Sequence, residues 1–297
     1  MGIRYGGGCF EPFFDINFHK PIKKPKIYRR GRNSGSYPTE ILNYLTIKEN
    51  LQLAKENYKK ERNFIGRNPN IEEKESLSNL VNEVLNQYIE KMRFNIDTLY
   101  DAEGAKKYCE KAKSFIGKKP TQEQQKTFSE MINKVLKSYQ KRVETNINLM
   151  HDTVNAKTYY RGAKVFIGRK PTQKQQEVIS DMFNKILDGY QERVEFYTDI
   201  MHDTVNAKNY YKAAKVFIGR KPNQKQQEVI SDMFNKILEG YQERVETHIN
   251  IFHDTVDAKN YYKAAKKFIG EKPTQKQREM ISNMEKIIIK NNYEITN

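Results

Sequence analysis

The chain has 297 residues and a formal net charge of +16, set by 53 Lys and Arg against 37 Asp and Glu. Hydrophobic residues make up 37% and charged residues 30%; Trp is absent, and the two cysteines, Cys9 and Cys109, lie far apart. These values argue against a disulfide-stapled domain and a low-complexity chain, point to anionic partners, and suit helices that bury only part of their circumference.

Residues 1–38 are predicted to be an extended arm. Gly6-Gly7-Gly8 precedes scattered Phe10, Phe13, Phe14 and Phe18, which follow neither helical nor strand spacing. From Lys20 to Arg32 the sequence KPIKKPKIYRRGR places seven basic residues in thirteen: Lys20, Lys23, Lys24, Lys26, Arg29, Arg30 and Arg32. Pro21 and Pro25 exclude a regular helix there. Closely spaced cations on an extended chain neutralise phosphates or an acidic protein surface, and Tyr28 with the upstream Phe residues offers stacking groups. The arm is therefore the first candidate binding segment. The competing readings are a solubilising tail and a basic targeting signal.

A helical region is expected over 39–297, opening after Pro38 with Thr39 as a cap. Its decisive feature is self-similarity. Phe-Ile-Gly recurs at Phe64, Phe115, Phe166, Phe217 and Phe268, 51 residues apart each time. The implied units are 49–99, 100–150, 151–201, 202–252 and a short 253–297, behind a leading helix from 39. The third and fourth units differ at only ten positions. Neither the period nor the signature residues are those of tetratricopeptide or HEAT arrays.

Each unit carries one clear turn. In the third, Gly168 ends a helix in a left-handed conformation, Arg169 and Lys170 complement that helix end, and Pro171 blocks continuation. Thr172 and Gln175 then form a capping box, repeated at Asn70/Glu73, Thr121/Gln124, Asn223/Gln226 and Thr274/Gln277. Apolar residues follow at steps of three and four, from Val178 through Tyr190 to Met201. Around His202-Asp203-Thr204 the sequence loses helix propensity, and Asp203 is a candidate cap. A break is expected there, although the apolar phase runs on and leaves a fused rod as the alternative. Basic residues gather at the start of each of these two units and acidic residues in the remainder, which predicts charge pairing between neighbouring helices.

The turns supply a second candidate surface. Lys118, Lys119, Arg169, Lys170, Arg220, Lys221 and Lys272 recur at one structural point, with Lys174, Lys225 and Lys276 on the adjoining helix starts, where free amides attract anions. The plainer reading is complementation of a helix C-terminus. His151, His202 and His253 each precede Asp, but one pair per unit does not converge as a metal or hydrolase site requires, so a local capping or surface role is expected of them. The Tyr-Tyr pairs at 159, 210 and 261 read as packing residues, and Cys109, in the place of the second Tyr, as a small buried residue. No catalytic residue, cofactor site or metal site is assigned.

No stretch approaches 18 apolar residues, so no membrane span is expected, and no apolar signal-peptide core opens the chain. With the sparse cysteines this predicts a reducing, intracellular compartment, cytoplasmic or within a particle assembled there. The fold expectation is all-α, an elongated tandem array of antiparallel helices behind the basic arm. The leading function is non-enzymatic: a structural or scaffolding protein with protein partners along the array, anchored by its arm to a virion, filament or ribonucleoprotein. The second is nucleic-acid binding by arm and turns. The third, a peripheral membrane protein using Gly2, Cys9 and the basic cluster, is weakened by Gly6, which stands where a myristoylation signal needs Ser or Thr.

Overall fold

The computed structural model describes residues 39–117, 119–271 and 273–295; the arm and its basic residues lie outside them. Within that span the protein is all-α, a sequential antiparallel array in which neighbouring helices touch. The helices are α1 (Thr39–Ile65), α2 (Ile71–Asp97), α3 (Ala102–Ile116), α4 (Gln122–Asn148) and α5 (Thr153–Ile167). Then follow α6 (Gln173–Glu195), α7 (Thr204–Ile218), α8 (Gln224–Asn250), α9 (Thr255–Ile269) and α10 (Gln275–Ile295). α6 runs on into one π-wound turn, Phe196–Ile200. None of these helices is long and apolar enough to cross a membrane.

Two kinds of joint alternate, and both follow from local chemistry. At the first, Gly66, Gly117, Gly168, Gly219 and Gly270 take φ between +69° and +82°. Their ψ, −153° at Gly168 and −158° at Gly219, puts them beyond the left-handed helical well that the sequence suggests, in a region open to glycine alone. All five capping boxes form behind these turns; Thr172 Oγ1, for example, accepts from the Gln175 amide while Gln175 Oε1 accepts from that of Thr172.

The second joint is the break, and the rod alternative falls. Asp101, Asp152, Asp203 and Asp254 cap α3, α5, α7 and α9 through side-chain oxygens. The residue before each cap, Tyr100, His151, His202 or His253, has φ between +47° and +53°. The Asp amide closes the joint by reaching back six residues, as from Asp152 to the Asn146 carbonyl at 2.7 Å. α1 differs: it passes through Glu49-Asn50 without a break, and its first helical residue is Thr39 itself.

Long helices α2, α4, α6, α8 and α10 touch in succession, and each of α3, α5, α7 and α9 packs against the long helix before it and the one after. The core follows the apolar stripes: Tyr139, Val143 and Ile147 on α4 and Tyr190 and Val194 on α6 are buried, as are Ala156, Tyr160 and Ala163 on α5. Burying one such large side chain contributes about 1.5–3 kcal/mol. Three rings from α5, α6 and α7 fasten consecutive units: Phe183 stacks on Phe217 at 4.6 Å, with Tyr160 edge-on to both. Phe234, Phe268 and Tyr211 repeat this one unit on. Glu285 holds the next equivalent place, where an aromatic stack cannot continue.

The expected charge pairing is not what joins the helices. Among the described residues one Lys–carboxylate pair links separate elements, Lys236 to Asp199 at 2.9 Å. Opposite charges on these surfaces stand apart while aromatic and aliphatic side chains fill the seam. Cys109 is buried as anticipated, and desolvation pushes its thiol up to about 12.

Candidate functional site

The array presents two series of joints. On the turn side, Lys119, Arg169, Lys170, Arg220 and Lys221 are exposed, and none makes an ion pair among the described residues. Lys118 and Lys272 lie outside the described residues, so this placement covers part of the edge. Lys174, Lys225 and Lys276 are exposed on the first turns of α6, α8 and α10. The capping boxes take up the N-cap and third amides of α6 and α8, so the first and second amides, those of Gln173 and Lys174 on α6, stay outside the boxes beside these side chains.

On the break side three of the four joints are clamped by the following unit; at the fourth, His253, the matching position is Ile295. The Arg193 guanidinium donates to the His151 carbonyl at 3.2 Å, Arg244 Nε donates to that of His202 at 3.1 Å, and Arg142 serves Tyr100 in the same way. Lys91 holds the corresponding place on α2. With no break in α1 to clamp, its ammonium donates to the Tyr44 carbonyl at 2.9 Å and sits over the Tyr44 ring. Desolvation, with Lys48 nearby, lowers its pKa to about 8. Exposed apolar residues crowd each break: Leu149, Met150 and Val154, then Ile200, Met201 and Val205, then Ile251, Phe252 and Val256. None of these was singled out as a surface group, because within the repeat they read as continuations of the apolar stripe.

The histidines of the His-Asp pairs stay on separate breaks, and their Asp partners cap helices. A residue that sequence reasoning passed over does join a cluster: one ligand atom from each of His248, Asp254 and Asp257 lies within 4.8 Å of the others. At the two preceding breaks an Asn amide donates to the capping carboxylate, Asn155 to Asp152 and Asn206 to Asp203, both at 2.6 Å. Asp257 replaces that donor with a second carboxylate, and His248 replaces Asn146 and Tyr197. The His248 Nδ1 is buried without a hydrogen-bond partner, 3.9 Å from Asp254 Oδ2. Amides of Asp257 and Val256, with His248, hold the Asp254 carboxyl below its usual range. This donor set is of the kind that takes a divalent ion. Comparing residues 51 apart was the signal that could have found it.

No family model, no curated protein and no solved structure matches this chain.

Proposed function

We propose that this protein is a non-enzymatic scaffold. Five 51-residue helical units form an elongated body that sets a length and presents the same groups at a fixed interval. The basic residues of 1–38 fasten it to an acidic partner within a larger assembly. The observation that carries this reading is the recurrence of the same exposed groups at successive joints, Arg169 and Lys170 then Arg220 and Lys221 at the turns, Leu149 and Met150 then Ile200 and Met201 at the breaks. Repetition of weak contacts yields avidity, whereas a catalytic centre needs one convergent constellation.

The same turns favour nucleic acid as the second reading, and salt titration separates the two. Binding of the full chain and of a chain lacking residues 1–38 is measured against single-stranded RNA and against an acidic protein polymer such as polyglutamate. Scaffold anchoring by the arm predicts loss of affinity for both ligands on deletion. Steeply salt-dependent RNA binding that survives the deletion, and disappears with Arg169→Glu and Arg220→Glu, would instead assign the turns to phosphate recognition.

A further inference from the structure

A groove of about 530 Å³ opens between α2 and α4. Its opening has a packing cause. Where α6 passes α4 and α8 passes the end of α6, the close approach leaves room only for glycine. A Cβ on Gly189 would stand 2.7 Å from Ile147 Cδ1, and one on Gly240 nearer still to Thr198 Cγ2. The equivalent position on α4 is Ser138, so α2 and α4 stand far enough apart to admit a side chain, and Ser138 with Ile96 lines the groove.

Five cations line this groove, Arg93, Lys134, Lys137, Lys141 and Arg142, against a single carboxylate, Asp97. The array supplies its own control. Arg93, Lys137 and Lys141 become Glu144, Asp188 and Glu192 one unit later, and Glu195, Glu239 and Glu243 in the next. Glu144 and Asp188 line the corresponding groove between α4 and α6. One repeated backbone thus carries opposite charge at three matched positions. Among the described residues Lys134, Lys137 and Lys141 make no ion pair, whereas Lys236, the counterpart of Lys134, is held by Asp199 and Glu239. Arg93 is shared with Glu90, and Arg142 with the Tyr100 carbonyl. Ammonium groups crowded on one concavity repel one another, and a multiply charged anion relieves that repulsion.

We propose that the groove between α2 and α4 binds a compact ligand carrying clustered phosphates, of about the size of a nucleoside triphosphate. Its volume lies in the range of small-molecule sites. A nucleic-acid strand running along the array would meet carboxylates in the very next groove, so a compact anion fits and a long one does not. Tyr100 is 54% exposed at the groove's edge, with the Lys141 ammonium 5.7 Å from its ring centre, and offers an aromatic group to a base. The site is independent of the scaffold reading, because none of its residues belongs to the arm or the turns.

The test is calorimetric titration of the full chain with sodium tripolyphosphate and with adenosine triphosphate. One site per chain is expected, unchanged when residues 1–38 are removed. Lys137→Asp with Lys141→Glu copies the residues one unit on, which the fold already accommodates. It should weaken binding by roughly a hundredfold at an unchanged melting temperature. Tighter binding of the nucleotide, lost in Tyr100→Ala, identifies a base-bearing ligand, and equal affinities identify the phosphate chain alone; either upholds the site. Failure of both probes to bind, or binding of several equivalents that the Lys137/Lys141 variant leaves intact, overturns it.

Discussion

At its turns the array needs a positive φ and uses glycine five times, with open space around each and charged residues beside them. At its breaks it needs a positive φ again, yet keeps Tyr100, His151, His202 and His253, flanked by exposed Leu, Ile, Met, Phe and Val. A left-handed backbone costs about 1–2 kcal/mol for a residue with a Cβ. The breaks tolerate that cost because all four are fixed by the Asp amide reaching back six residues, and those at Tyr100, His151 and His202 also by a guanidinium of the next unit on the break carbonyl. The turns have no such support and rely on the residue itself. One joint is held by tertiary contacts, the other by its own covalent structure.

Substitutions at the joints test this contrast. The largest effect is expected at the turns. Gly168→Ala meets no atom within 4 Å, so its whole cost, about 2–3 kcal/mol, is backbone strain, visible as a lower urea midpoint. An unchanged midpoint would show that the turn relaxes and that glycine is not what fixes it. Next comes the clamp position. The pKa of Lys91 is lowered to about 8 in the folded chain, so above that pH the unfolded chain binds more protons and stability rises. The shifts of Cys109 and the buried tyrosines act in the opposite sense from about pH 9–10 upward, since their pKa values are raised on folding. Between pH 8 and 9 the gain should be about 1 kcal/mol, and Lys91→Met should abolish it. A slope that persists in the variant would assign it to another group. Smallest is His202→Gly, which relieves the left-handed strain against a larger unfolded-state entropy and should stabilise by about 0.5–1 kcal/mol in thermal unfolding. A loss would mean that the imidazole makes a contact beyond the backbone constraint.

Much of the fold was legible because it is local. The glycine turns, the capping boxes and Asp203 as a cap depend on residues within a few positions of one another, and repetition, five times for the turns and boxes and four for the cap, separates them from chance. The π-wound turn at Phe196–Ile200 was not legible. α4 and α8 stay α-helical through the same positions, and the ion pair of Asp199 with Lys236, a residue 37 positions on, is made at this one alone among the described residues. The candidate surfaces divide in the same way. Basic residues at the turns stand out in sequence because they adjoin Gly and Pro. The α2/α4 groove draws its cations from two helices some 40 residues apart, and its width depends on Ser138 replacing a glycine at a helix crossing.

By itself the sequence determined where the glycine turns and capping boxes fall, which face of each helix is apolar, and that the pattern recurs every 51 residues, since caps, turns and amphipathic spacing act over one or two helical turns. The tertiary structure alone decided which helices meet. That choice set which arginine clamps which break, which carboxylates face which lysines, and where two helices separate widely enough to leave a groove. Such outcomes arise from side chains distant in the chain competing for the same space, and no local preference encodes them.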